Sequence, residues 1–269
     1  MFRLLHFEIV ERKKQNNMNA LDNPIFGCLT ETEQDMCKRY MELGNNADFV
    51  KKGIAFCHGN PAHGILLTGI NPGRGEGVVY YTLKDAINPL NGKQLQYWKH
   101  KKIQIIGNDD WLLDNTAYLD LFPYFESSQN DFEKAVHPHI DFQVKVLEIT
   151  QNNIEEHIQP RLIIAANDTA AYYWGFRPET TWLGYDFIKV VDVPECLRNT
   201  RIELYQINPV NGFRKDTDRV GQDKYLTSNI KGAYFIPYAM YDDRHYKTNP
   251  DKVLTPELVK ELFEWIDGQ

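Results

Sequence analysis

Three short stretches of this chain are apolar at almost every position: Ile65-Leu66-Leu67, Tyr118-Leu119-Asp120-Leu121-Phe122 and Leu162-Ile163-Ile164-Ala165-Ala166. Such runs, bounded by Gly or Pro, predict strands buried on both faces, the habit of a parallel sheet. The first passes into Gly69, the second stops at Pro123, and the third starts just after Pro160. Phe187–Val191, Ile202–Ile207 and Ala233–Ile236 are further strand candidates. Between them the period changes. Phe142, Val146, Leu147, Ile149, Ile154 and Ile158 fall at helical spacing, which predicts a helix over 141–158. Thr30-Glu31-Thr32-Glu33 supplies a capping signal before Met36, Tyr40, Met41 and Leu43, and Asn167-Asp168-Thr169 can cap a helix through Tyr173. Thr255-Pro256-Glu257 opens a terminal helix with Leu258, Leu262 and Trp265 along one side, proline being suited to a first turn.

Strands alternating with helices predict an α/β protein, a three-layer α/β/α arrangement with a mainly parallel central sheet. Residues 1–60 read as a helical lead-in packed on a main domain over 61–269. The polar stretch Asn211 to Lys231 reads as an exposed excursion, and Pro237 to Pro250 as an irregular loop.

Composition narrows the class. A chain of 269 residues with 42% hydrophobic, 13% aromatic and 25% charged residues can bury a full core. Cys28, Cys37, Cys57 and Cys196 form no C-x-x-C pair, so reduced thiols are expected rather than a zinc site or a disulfide framework. The apolar patch Phe2–Val10 is interrupted by Arg3, His6 and Glu8, unlike a signal peptide. No run reaches bilayer-spanning length, and a cytoplasmic protein without a membrane partner is expected. The net charge of −7 repels polyanions overall, so a nucleic-acid partner would need a local basic patch. Lys99-His100-Lys101-Lys102 is the densest one. His137-Pro138-His139 has no third ligand at supporting spacing, and reads as a surface turn rather than a metal site.

In open α/β sheets ligands bind outside the carboxyl ends of the strands, which directs attention to Gly69-Ile70-Asn71-Pro72-Gly73 and the following Arg74-Gly75-Glu76-Gly77. Its glycine spacing is G-x-G-x-G, and Pro72 removes an amide donor, so a dinucleotide site is rejected; a Walker loop fails for want of Gly-Lys-Ser/Thr. No cofactor is expected.

The segment Gly69-Ile70-Asn71-Pro72-Gly73 resembles the G-x-N-P-G loop of the mismatch-specific and single-strand-selective branches of the uracil-DNA glycosylase superfamily. Asp120-Leu121-Phe122-Pro123 looks like that superfamily's N-x-x-P segment. Gln159–Ala165 with Ala170-Ala171 looks like its strand-and-helix unit, and Ile236-Pro237-Tyr238 falls where its H-P-S segment belongs. The similarity runs in order over roughly residues 60–269, and its first motif is the specific one.

The resemblance implies a glycosylase-like fold, DNA as partner, and hydrolysis of the N-glycosidic bond of a flipped-out damaged or deaminated base. Asn71 would position the attacking water, and Gly69, Ile70, Pro72 and Gly73 would shape the base pocket. Asp120 would read the base, with Phe122 beside it. Tyr80 or Tyr81 would stack on the extruded ring; adjacent strand residues face opposite ways, so at most one can do so. Gly75 would admit a DNA phosphate, and Arg244, His245 and Tyr246 would hold the strand. Two positions depart from the pattern. Asp120 stands where relatives carry Asn, and an ionised carboxylate only accepts hydrogen bonds; Ile236 stands where some branches carry histidine. Both departures also suit a catalytically weak or inactive relative that binds a nucleobase, nucleotide or single strand. A third possibility is an unrelated α/β enzyme on a small polar metabolite, with 211–231 as its lid.

Overall fold

The computed structural model describes residues 20–50, 52–73, 75–87, 103–107, 109–177, 182–215, 217–238 and 248–269. The strands are β1 (Gly53–Cys57), β2 (Ile65–Gly69), β3 (Gly77–Tyr81), β4 (Thr116–Asp120), β5 (Leu162–Ala165), β6 (Phe187–Lys189), β7 (Tyr205–Ile207) and β8 (Tyr234–Pro237). Six form the main sheet in the order β4-β2-β5-β8-β7-β6. Its first four strands are parallel, and β7 and β6 join by antiparallel pairing. The fold is α/β with a mixed, mostly parallel sheet flanked by helices.

Alternation explains why the parallel strands read as continuous apolar runs. Leu66, Ala117, Leu119, Ile163, Ala165 and Phe235 face one core, and Ile65, Leu67, Tyr118, Leu162, Ile164 and Ile236 face the other. Each face needs a helical cover. On the first lie α1 (Glu31–Asn45), α2 (Gln129–Val136), α3 (Ile140–Asn153) and α4 (Asp168–Trp174), which contribute Met36, Tyr40, Phe132, Val146, Tyr173 and Trp174. On the second lie α5 (Pro256–Asp267) and short helices at 83–87, 103–106, 110–115 and 195–198.

The caps read from the sequence form. Thr30 Oγ1 accepts from Glu33 N while Glu33 Oε2 accepts from Thr30 N, a reciprocal capping box. Asn167 Oδ1 accepts from Ala170 N, and Thr255 Oγ1 from Leu258 N with Pro256 opening α5. Helix α3 runs on through one π turn, Ile154–Ile158, and is stopped by Gln159 in the left-handed conformation.

Several expectations are corrected. The lead-in is not purely helical, because β1 lies within it and pairs in parallel with β3 as a separate two-stranded sheet. Both strands begin at glycines of positive φ, and a Cβ on Gly53 would lie 1.9 Å from Gly77 O, so only glycine permits this approach. The second strand ends at Asp120, not Phe122. In α5 the buried stripe is Val259, Leu262, Phe263 and Ile266, with Leu258 and Trp265 only partly buried. The described residues of 211–231 form no regular element, yet the stretch is not a plain exposed excursion: Phe213, Val220, Tyr225 and Ile230 are buried in the first core.

Among the described residues no helix is long and apolar enough to cross a membrane, and no group of His, Cys, Asp or Glu could hold a metal ion. All four cysteines are free. His139 stacks on Phe49 at 3.8 Å between ring centroids, a packing role.

Candidate functional site

Parallel register brings the carboxyl ends of the first four strands to one edge. Gly69 stands opposite Asp120, and Ala165 opposite Pro237. Strand order reverses around β2, with β4 on one side of it and β5 on the other, so the crevice expected of such sheets opens beside the loop that leaves β2.

That loop is zipped to the segment leaving β4. Leu121 N donates to Gly69 O at 3.0 Å, Phe122 N to Ile70 O at 2.8 Å and Glu126 N to Pro72 O at 3.3 Å. A Cβ on Gly75 would lie 2.4 Å from the Phe125 ring, so glycine lets the loop lie flat against it. Lys52 Nζ ion-pairs with Glu126 and donates to Ser127 Oγ, tying β1 to the same segment. The two motifs, 52 residues apart in sequence as Gly69 to Leu121, are thus held side by side by backbone bonds.

Asp120 is the polar centre of this edge. It is buried, and a Cβ on Gly69 would lie 2.4 Å from its Oδ1. The carboxylate therefore occupies the space that any other residue at 69 would fill. Tyr118, two residues earlier on the same face of β4, donates its phenol to Asp120 Oδ1 at 2.5 Å. Tyr118 is in turn held from outside the sheet. Asn60 Nδ2 donates to Tyr118 O at 3.1 Å and Asn60 Oδ1 accepts from Tyr118 N at 3.0 Å, so one side-chain amide replaces the strand missing at the β4 edge.

Asn71 stands two residues past Gly69 and is half-buried. Its Nδ2 donates to Pro72 O at 3.0 Å; among the described residues none donates to its Oδ1. A Cβ on Gly73 would meet nothing within 4 Å, so the tip of the loop faces open space.

Other expected site residues are placed differently. Ile70 is buried in the first core, and Phe122 is wholly buried against Phe132 and Tyr173, so Phe122 presents no ring to a ligand. Tyr80 turns into the same core, where Cys37 Sγ donates to its hydroxyl at 3.5 Å and Phe26 packs on its ring. Burial pushes the Cys37 thiol up to about 11, so this is a packing contact rather than a reactive pair. Tyr81 lies partly buried against the second core. Ile236 is buried opposite Ile164, and the Tyr238 hydroxyl is used in accepting from Leu254 N at 3.1 Å. Arg244, His245 and Tyr246, like Lys99 to Lys102 and Arg74, lie outside the described residues.

Tyr118 and Asn60 were not singled out from sequence. An Asn in a polar stretch carries no signal of what it caps, whereas the i, i+2 spacing of Tyr118 and Asp120 on a strand was available as a cue.

A separate recess of about 460 Å³ opens on the antiparallel wing, lined by Phe176, Asp186, Phe187, Tyr205 and Arg214. Its charged groups are engaged by the fold, Asp186 with Asn208 Nδ2, and Arg214 with the carbonyls of Gly175 and Arg177. No protein family, curated protein or solved structure matches the chain.

Proposed function

We propose that the chain is a divergent relative of the uracil-DNA glycosylases, and that the edge formed by Asn71 and Asp120 receives a nucleobase swung out of a DNA strand. The observation that carries this proposal is the backbone zipper between the Gly69–Pro72 loop and the Leu121–Glu126 segment, because it sets together the two motifs on which the resemblance rests. Supporting it, the four parallel strands taken in chain order lie as second, first, third, fourth across the sheet. The G-I-N-P-G loop then follows the first of them, the D-L-F-P segment the second and Ile236-Pro237-Tyr238 ends the fourth. Ile70, one residue past the end of β2, is buried in the first core, as the alternation of that strand predicts.

In this proposal the Asn71 amide oxygen holds a water. The glycosidic bond breaks with its electron pair leaving on the base, the water adds to the sugar cation so formed, and the proton that the water loses passes through solvent to the base anion. Asn71 is no base, so the reaction depends on bond dissociation running ahead of attack and on hydrogen bonds to the departing ring. The buried Ile236, which offers no proton or hydrogen bond to the leaving base, favours a second reading in which the site binds a base without cleaving it.

The test is incubation of the full chain with oligonucleotides carrying uracil, hypoxanthine, xanthine or mismatched thymine, beside Asn71→Ala. Abasic product that disappears in the variant is the expected result. Salt-sensitive binding without product would favour the binding reading, and neither binding nor product would sink both.

A further inference from the structure

Resting on that proposal, we infer that Asp120 selects the bound heterocycle by its N–H donors, and that the site takes a guanine-type edge in preference to uracil. Asp120 ends β4 opposite Gly69, at the edge where that proposal seats the base. Gly69 makes room for the Asp120 carboxyl group, and the Tyr118 phenol fixes the orientation of Oδ1. A carboxylate has acceptor sites only. Oδ1 already acts as an acceptor toward Tyr118, and each carboxylate oxygen can accept more than one hydrogen bond, so a ligand adds to that bond rather than displacing it.

The common bases differ in what they offer such a group. Uracil and thymine present one N–H flanked by two carbonyl oxygens, so at least one acceptor is forced against the carboxylate. Cytosine and adenine present an amino group beside an unprotonated ring nitrogen, one donor next to one acceptor. Guanine alone presents two adjacent donors, the ring N1–H and the 2-amino group, which match a carboxylate in the fork geometry that makes paired hydrogen bonds strong. Guanine modified elsewhere on the ring, by oxidation or alkylation away from that edge, keeps both donors and belongs to the same class. Each well-formed base contact of this kind discriminates by about tenfold, and an acceptor forced on an acceptor adds to the penalty.

The measurement is competition binding of the full chain to short single-stranded thymidine oligonucleotides carrying one deoxyguanosine, one deoxyinosine or one deoxyuridine, with Asn71→Ala and Asp120→Asn alongside. Deoxyinosine keeps N1–H and lacks the 2-amino group. Expected is an order of guanine, then hypoxanthine, then uracil, with about tenfold or more between the first and last. Asp120→Asn, which keeps the size and the acceptor for Tyr118 while gaining an amide donor, should level that order, because an amide pairs alike with N1–H beside O6 of guanine or hypoxanthine and with N3–H beside O4 of uracil. Uracil bound as tightly as guanine by the native chain, or an order unchanged by Asp120→Asn in a variant that melts like the native protein, would overturn the inference. Where binding is abolished by Asn71→Ala and uracil still wins, only the inference about the edge fails. Binding of all three oligonucleotides that is indifferent to both variants would overturn the shared site as well.

Discussion

The carboxylate of Asp120 fills the place where a side chain on Gly69 would begin, with Oδ1 2.4 Å from that position. No other residue fits at 69 without displacing the acid from Tyr118. Gly69→Ala should therefore disturb the site more than the fold. Relieving one overpacked methyl costs about 1–3 kcal/mol of stability, whereas ligand binding or turnover should fall at least tenfold. Denaturant unfolding beside an activity or binding titration separates the two; a variant with native binding would show that Asp120 is not positioned by this contact.

Tyr118→Phe tests the other support of the same carboxylate. Removing the phenol deletes its hydrogen bond to the Asp120 carboxyl, worth about 1.5–3 kcal/mol where the acceptor is charged, and takes away one contact that orients Oδ1. Affinity should drop while the secondary-structure content, monitored by far-UV circular dichroism, stays native. A phenylalanine variant with unchanged affinity would assign Tyr118 to packing alone.

Asn60 is the third layer of this arrangement. Asn60→Ala leaves both the N–H and the C=O of Tyr118 without their partner at the β4 edge; each group that stays buried and unsatisfied costs about 1–3 kcal/mol. Asn60→Asp should be nearly as damaging, since it retains the acceptor and turns the donor into a second acceptor facing Tyr118 O. Hydrogen exchange at the Tyr118 amide reads this directly: exchange as slow as in the native protein would rule out the edge-capping role.

How much of this is legible in the sequence follows from where the information lies. The parallel strands announce themselves because both faces of β2 and β5 are covered, so nearly every residue must be apolar. The caps at Thr30, Asn167 and Thr255 are local chemistry, visible in the residues themselves. Strands β1 and β3 are not, because each begins at a glycine whose purpose, the Gly53–Gly77 approach, exists only in three dimensions, and β3 is largely exposed rather than covered on both faces. The stretch 211–231 misleads for a related reason. Its polar composition hides four widely spaced apolar anchors, and its main polar anchor, Glu155, lies on another element. At the site, the Asn71 loop and Asp120 stand out by motif, while Tyr80 and Phe122 are misplaced because aromatic rings beside a loop read alike whether they face the core or the solvent.

Glu155 gives the last prediction, and its sign can be worked out. It is fully buried on the π turn after α3, where Oε1 accepts from Tyr185 Oη at 2.7 Å and Ser228 Oγ at 2.8 Å, and Oε2 from Asn229 N at 2.6 Å. Asn229 Nδ2 also donates to its backbone carbonyl, so this one residue fastens the 211–231 stretch to the helix layer. Burial raises its pKa above the ordinary glutamate value of 4.5, against the lowering effect of the Tyr185, Ser228 and Asn229 donors. A folded-state value above the unfolded one means that the native protein binds the extra proton. This contribution to stability is therefore present below pH 4.5 and is lost as pH rises through the folded value. Glu155→Gln cannot titrate, so the component of the stability-versus-pH curve that falls above 4.5 should disappear. The substitution also sets an amide donor against the Asn229 N–H or removes an acceptor from the hydroxyls, and should cost about 1–3 kcal/mol at low pH. Urea midpoints of the native chain and of the Glu155→Gln variant, measured from about pH 4 to 8 to bracket the ordinary and the raised carboxyl values, decide it: curves of the same shape, offset by a constant, would show that Glu155 titrates no differently in the folded and unfolded states.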